Sequence, residues 1–385
     1  MASLYVHIPF CIKKCSYCDF VSFPCADRMD EYLAALLKEI DLAAEEIPPF
    51  SSVETVFFGG GTPSLMSGKQ FHTLMERLRS RFPIAENAEI TLECNPGTVD
   101  CGKLAAYRAA GANRLSVGMQ SLDQDLLKRI GRIHTRGEAL AAVESARAAG
   151  FENINVDVMH GLPGQTVGQY LDTLESVCML PITHVSAYSL ILEEGTPLYK
   201  SVLAGETPEP DADAAADMQD AGMELLEKHG FHRYEISNFA REGFMCRHNL
   251  VYWENREYLG LGLNAHSSLR LTEQNGRTAA VRFRNLETLD GYLAALARNR
   301  RPLAETIRLK KKDELFETVM LGLRLVSGVD KAAFTARFGL AVNDVYPEAV
   351  EKLAALGWLA ETPTHLALNA RGLDLQNRAL QYFMD

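Results

Sequence analysis

Cys11, Cys15 and Cys18, in the run CIKKCSYC, are the residues of this chain best suited to metal chemistry. Spaced C-x3-C-x2-C on one loop, three thiolates can meet three irons of a cubane iron–sulfur cluster and leave the fourth iron without a protein ligand. An open iron accepts an exchangeable ligand. Structural zinc is the competing reading, with His7, four residues before Cys11, as a candidate fourth donor. Plain buried thiols are the third.

The elements around the cysteines favour the cluster. Leu4 to Ile8 reads as a short buried strand, so the cysteines lie on the loop at its C-terminal end, where chemistry collects in a βα fold. A second apolar strand, Thr55 to Phe58, runs into Gly59, Gly60, Gly61, Thr62 and Pro63. Three glycines let backbone approach a ligand closely and are expected to offer it unhindered N–H donors. Further polar residues fall where later strands end: Glu93 in ECNPG, Gln120 in RLSVGMQS, and Asp157. Together they bound a pocket and can hydrogen-bond ribose hydroxyls or an amino group.

Strand-like runs recur at Glu89 to Cys94, Arg114 to Gly118, Asn153 to Met159 and His184 to Leu190. Helical patterns at Met29 to Glu46, Gly68 to Arg81, Gly102 to Ala110, Gly137 to Ala149 and Val167 to Leu180 lie between them. Asp27 or Asp30 is expected to cap the first helix and Asp100 the third. Six β-then-α units predict an α/β fold with an incomplete parallel (β/α)6 TIM-like barrel over 1–210, open on one side. A polar stretch from Gly205 to Asp213 leads into a connecting segment, 211–305, with a helix from Met218 to His229. The remainder, 306–385, reads as helices at Lys311 to Val326, Lys331 to Gly339 and Val342 to Leu356. Two short strands and a closing helix from Arg371 follow, a winged-helix-like α+β pattern. From Ile307 onward ten basic residues face ten acidic ones, so this module lacks the positive face that nucleic acid needs and is read as a packing or docking unit.

The whole chain has 385 residues and a net charge of −11, which argues against nucleic acid or anionic lipid as a broad partner. It contains no long apolar run and no basic leader, so a cytoplasmic protein is expected. Eight scattered cysteines do not look like a disulfide framework; Cys25, Cys94, Cys101 and Cys178 are expected to be mostly buried, inert side chains.

CIKKCSYC, GGGTP, ECNPG, RLSVGMQS, GLPGQT, EEGTPLY and YEISNFA, in that order, resemble radical S-adenosylmethionine (SAM) proteins of the oxygen-independent coproporphyrinogen III oxidase family. The resemblance implies a [4Fe-4S] cluster held by Cys11, Cys15 and Cys18, with SAM chelating the open iron. It implies that Tyr5, Gly60, Gly61, Thr62 and Glu93 contact SAM, and that a second such site maps to Tyr17, Gln120, Arg132 and Asp157. Oxidases of this type carry a further cysteine two positions after the third cluster cysteine, where this chain has Phe20. That departure points to the heme-chaperone branch. So does Cys246-Arg247-His248-Asn249-Leu250-Val251-Tyr252-Trp253, which resembles the HNxxYW motif those chaperones use for heme.

By this resemblance His248 is the axial donor to heme iron and Arg247 pairs with a propionate. His266 is a second candidate donor, and Cys246 a source of a thiolate or covalent link. Relatives often have Ile-Tyr at Met159-His160 and Gly at Asn264. His160 is then expected to face bound porphyrin, and Asn264 to keep the left-handed geometry of its loop. The expected function is binding heme and passing it to an acceptor protein. The alternatives are porphyrinogen decarboxylation by a deoxyadenosyl radical and a zinc-stabilised winged-helix regulator. The electron donor, a homodimer and peripheral membrane contact are left open.

Overall fold

Six strands with one apolar and one polar face build the centre of the molecule. In the computed structural model, which describes residues 1–272 and 278–384, these are β1 (Ala2–Ile8), β2 (Val53–Gly60), β3 (Ile84–Cys94), β4 (Arg114–Gln120), β5 (Asn153–His160) and β6 (His184–Ser189). Each pairs in parallel with the next. Helices α1 (Met29–Glu46), α2 (Gly68–Arg81), α3 (Cys101–Ala109), α4 (Gln124–Arg129), α5 (Arg136–Ala148) and α6 (Val167–Cys178) lie between the strands. Leu4, Val6, Ile8, Val56, Phe58, Leu115, Val117, Ile154 and Val156 are buried against them in the main core. Alternate strand positions point the other way, into the barrel.

Local chemistry explains most helix starts. Ser67 with Gln70, Thr135 with Glu138 and Thr166 with Gln169 form reciprocal capping boxes. Asp100 caps α3 by accepting from the Lys103 N–H. α1 is a correction, because neither Asp27 nor Asp30 caps it. A 3-10 turn over Ala26–Arg28 feeds straight into that helix, and Asp30 instead accepts from Gln70 Nε2 at 2.6 Å, tying α1 to α2. α4 was not expected; Asp123 caps it.

The segment after residue 210 does not form a separate layer. After α7 (Pro197–Leu203) and α8 (Ala212–Lys228), β7 (His232–Arg233) and β8 (Asn238–Ala240) extend the β6 edge of the sheet. A short helix, α9 (Arg247–Trp253), leads to β9 (Tyr258–Leu261), which pairs in parallel with β1. Beyond it lie β10 (His266–Thr272), β11 (Thr278–Asn285), α10 (Leu289–Ala297) and β12 (Leu303–Arg308). The described strands of this sheet run β12-β11-β10-β9-β1-β2-β3-β4-β5-β6-β8-β7. Asn264, on the β9–β10 turn, adopts φ 54°, the left-handed geometry expected of it.

The C-terminal part has its own core around Val319, Phe334, Leu353, Trp358, Leu366 and Phe383. Its helices α11 (Lys311–Gly322) and α12 (Lys331–Phe338) match the expected positions closely. The third expected helix is split at Tyr346 into α13 (Val342–Val345) and α14 (Pro347–Ala355), since Pro347 cannot donate to the preceding turn. A three-stranded sheet completes the wing-like pattern. Some of the basic side chains here make inward contacts. Arg337 binds Glu314 and the Asn255 carbonyl, and Arg324 lies 4.4 Å over the Trp253 ring. No helix among the described residues is long and apolar enough to cross a membrane.

Candidate functional site

A cavity of about 560 Å³ opens at the C-terminal ends of β1 to β6, and Cys11, Cys15 and Cys18 all line it. The cysteine loop leaves β1 beside the β2 turn. Thr62 Oγ1 donates to Cys11 Sγ at 3.5 Å, and Asn95 Nδ2 donates to Thr62 Oγ1 at 2.9 Å. Across the mouth, Arg132 Nη1 donates to Cys15 Sγ at 3.6 Å. Donors aimed at sulfur suit thiolates that carry negative charge. Among the described residues no three His, Cys, Asp or Glu side chains converge closely enough to hold one metal ion. His7 does not complete a zinc set either. Its Nε2 bonds the Val21 carbonyl at 2.9 Å and its Nδ1 meets the Tyr5 hydroxyl at 3.1 Å.

The glycine triplet works differently from expectation. Its N–H groups are not free: Gly60 donates to Glu93 Oε2, Gly61 to the Ile8 carbonyl and Thr62 to the Phe10 carbonyl. Glycine is needed for closeness instead. At Gly60, φ is +110° and a Cβ would stand 2.4 Å from the His7 ring; at Gly61 it would stand 2.7 Å from the Phe10 carbonyl oxygen. The turn is thereby drawn against the cysteine loop.

Glu93, Gln120, Arg132, Asp157 and Tyr17 all line the same cavity, so both sets of expected contacts converge there apart from Tyr5. The Tyr5 hydroxyl is turned to His7 and its ring lies 6.3 Å from Phe57, behind the lining. Gln120 sits at a register shift in β4 with φ 67°, an uncommon geometry for a non-glycine residue, and accepts from the Tyr188 hydroxyl at 2.7 Å. Asp157 receives Ser116 Oγ and, at 2.7 Å, Asn155 Nδ2. Arg114, Ser116, Asn155 and Tyr188 line the cavity too and were missed in the sequence. The signal was there in the polar residues alternating along otherwise apolar strands.

Burial lifts the Glu93 carboxyl to about 8, with Asp157 adding to the rise and the Gly60 N–H opposing it. Burial raises Asp157 as well, against its Asn155 hydrogen bond. A carboxyl raised on folding is best tolerated protonated. Its contribution to ligand-free stability is therefore full below about 4.5 and is lost as pH rises to about 8. Glu93→Gln is expected to flatten that decline in thermal melts across this pH window; an unchanged slope would assign the decline to another group.

The His248 motif lies deeper than expected. α9 plugs the barrel interior, with Glu89 accepting from the N–H groups of Arg247 and His248 at its first turn. His248 is 1% exposed, its ring stacks on Phe57 at 5.0 Å, and both nitrogens are engaged, Nδ1 by Thr55 Oγ1 at 2.7 Å and Nε2 by the Tyr252 hydroxyl at 2.9 Å. It does not line the cavity, although Asn249 does. Burial pushes its imidazole down to about 3, so it is neutral.

Cys246 is fully buried, donates to Glu89 Oε1, and is pushed up to about 12 by burial, so in this state it is a thiol rather than a thiolate. Arg247 is bound to the Asn87 carbonyl. His266 begins β10, outside the cavity lining. His160 lines a separate recess with Tyr170 and Gln219. Of the four cysteines expected to be mostly buried, Cys94 and Cys178 are buried, Cys25 is half-buried and Cys101 is exposed.

Residues 5–177 match the radical SAM superfamily and residues 309–375 match the HemN C-terminal domain. Fold and site together define a radical SAM core carrying a HemN-type C-terminal domain. The protein named heme chaperone HemW in Bacillus subtilis is 36% identical over 100% of this chain and 99% of its own length. The Escherichia coli protein of that name is 36% identical over 99% and 98%. The chain belongs to the heme chaperone HemW family of radical SAM proteins. The solved structure of coproporphyrinogen III oxidase (HemN) from Escherichia coli, titled a radical SAM enzyme, matches with a TM-score of 0.84 at 25% identity, over 99% of this chain and 89% of that one. Greater identity to the chaperones than to the oxidase favours the chaperone side of the family. Radical SAM membership implies a [4Fe-4S] cluster and SAM. Three thiols on one rim, two of them met by donors, fit that cluster.

Proposed function

We propose that this chain binds heme and passes it to an acceptor protein, using a radical SAM barrel as its scaffold. The observation that carries this reading is Phe20. It lines the cavity rim, is 68% exposed, and stands where the oxidases carry a further cysteine. An apolar ring at the mouth suits a porphyrin face but brings no thiol to the chemistry.

In this reading Cys11, Cys15 and Cys18 hold the cluster. Gly60, Gly61, Thr62 and Glu93 border the adjoining SAM, with Tyr5 supporting them from behind through His7. Tyr17, Gln120, Arg132 and Asp157 form the second site. When bound, the cluster and SAM supply reductive cleavage of a sulfonium carbon–sulfur bond. The chain's own residues hold that pair: Thr62 and Arg132 steady two of the sulfurs. For His248 to reach heme iron, one ring nitrogen must give up its bond to Thr55 or to Tyr252 while the other keeps its partner, so heme loading includes a loosening of α9. Its neutral imidazole already has the protonation state that ligation needs. The cytoplasm, where free thiols persist, is the proposed location.

The test is anaerobic reconstitution followed by two assays. Heme titration is expected to give saturable binding. Incubation of the reduced protein with coproporphyrinogen III and SAM is expected to yield no protoporphyrinogen. Turnover to protoporphyrinogen would overturn the chaperone reading in favour of the oxidase.

A further inference from the structure

Arg114 opens β4 on its inward-facing side and is the largest fully buried side chain, 2% exposed. Among the described residues its guanidinium makes no hydrogen bond, and no carboxylate oxygen lies within 4.0 Å of it. Glu89 and Asp157 offset its charge from beyond contact distance, but its N–H donors still lack acceptors, which burial makes costly. It lines the central cavity.

The surroundings narrow that partner down. Arg132, the other arginine of the lining, is already engaged by the Gly118 carbonyl and Cys15. Asp157 is satisfied by Ser116 and Asn155 rather than by Arg114. Asn249 lines the same cavity, and its side chain too makes no hydrogen bond among the described residues. A planar fork of donors accompanied by an amide, inside a walled cavity, matches a carboxylate.

We propose that Arg114, with Asn249 in the same lining, is the receptor for a carboxylate carried into the barrel by its small-molecule ligand. Two ligands of the proposed function bear such a group: heme through its propionates, and SAM through its amino-acid carboxylate. The inference rests on that function for the choice of ligands, but not for the receptor itself. No hydrogen bond within the protein depends on the guanidinium, while the carboxylates of Glu89 and Asp157 offset its charge without a direct contact.

The experiment compares the parent chain with Arg114→Met and Arg114→Lys, both reconstituted anaerobically. Each is titrated with heme, heme dimethyl ester, SAM and decarboxylated SAM. Arg114→Met is expected to weaken at least one acid-bearing ligand about tenfold or more. It should leave the matching esterified or decarboxylated ligand within about twofold, and whichever pair responds identifies the source. Arg114→Lys is expected to recover part of the loss. Circular dichroism is expected to show Arg114→Met folded in the ligand-free state, so that the titrations read the site. Equal weakening of acid and neutral forms, or unchanged binding of both acids, would overturn the proposal by making Arg114 a structural residue. If Arg114→Met fails to fold, the same four titrations on Arg114→Lys decide, and unaltered acid binding there also overturns it. Failure of heme to bind the parent would instead sink the chaperone reading and leave the receptor to be judged on SAM and its decarboxylated form.

Discussion

Cys15→Ala is expected to leave reconstituted protein nearly free of iron and sulfide. Three thiolates hold three corners of a cubane, and removing one leaves two irons without a protein ligand. Cys15 is also the sulfur that Arg132 meets at 3.6 Å across the cavity mouth, so the variant loses a ligand and strands its donor. The residue is half-buried on a loop beyond β1, and the strand pairings of the barrel do not depend on it. The fold is therefore expected to survive while iron falls from about four per chain to well under one. Cys101→Ala is the matched control, an exposed thiol at the start of α3. Iron and sulfide assays, with circular dichroism as the check on folding, read both variants. Full iron content in Cys15→Ala would remove that residue from the ligand set.

His248→Ala carries the second large effect, and it should register in stability before it registers in heme. The substitution empties a site that is 1% exposed, ends the stack on Phe57, and leaves Thr55 Oγ1 and the Tyr252 hydroxyl without their partner. A buried cavity plus orphaned hydroxyls is expected to cost about 3 kcal/mol, lowering the melting temperature by several degrees. Cluster content should not change, since the ring is outside the cavity lining. At temperatures where the variant remains folded, heme affinity is expected to fall at least about tenfold, as loss of an axial donor implies. Added imidazole should restore the bound-heme spectrum by filling the emptied site. The loosening of α9 has its own signature, faster amide exchange over Arg247–Trp253 in the heme-loaded parent. Unchanged heme affinity would take His248 out of heme contact and leave it as a core histidine.

The corrections share a cause. His248 was legible as a ligand type, yet its availability depended on Thr55 of β2 and Tyr252 one turn along its own helix. Gly60, Gly61 and Thr62 were legible as a special turn. Which carbonyls and carboxylates claim their N–H groups depends on β1 and β3, packed on either side. Arg114 passed as a strand residue because its neighbours Leu115 and Val117 made the run look apolar. The alternation Arg114-Ser116-Gly118-Gln120 carried the missing information about the inner face.

The order of the six βα units, the capping boxes and the C-x3-C-x2-C loop were all determined by the sequence itself. Each rests on interactions among residues a few positions apart, whose types and spacing state them outright. The pairing of β9 with β1, the plug made by α9 and the unpaired state of the Arg114 guanidinium were decided only by tertiary structure. They join residues more than a hundred positions apart, or turn on whether a partner arrives at all. Burial changes what a side chain can do by stripping its water and assigning its hydrogen bonds, and that environment exists only once the barrel has closed around it.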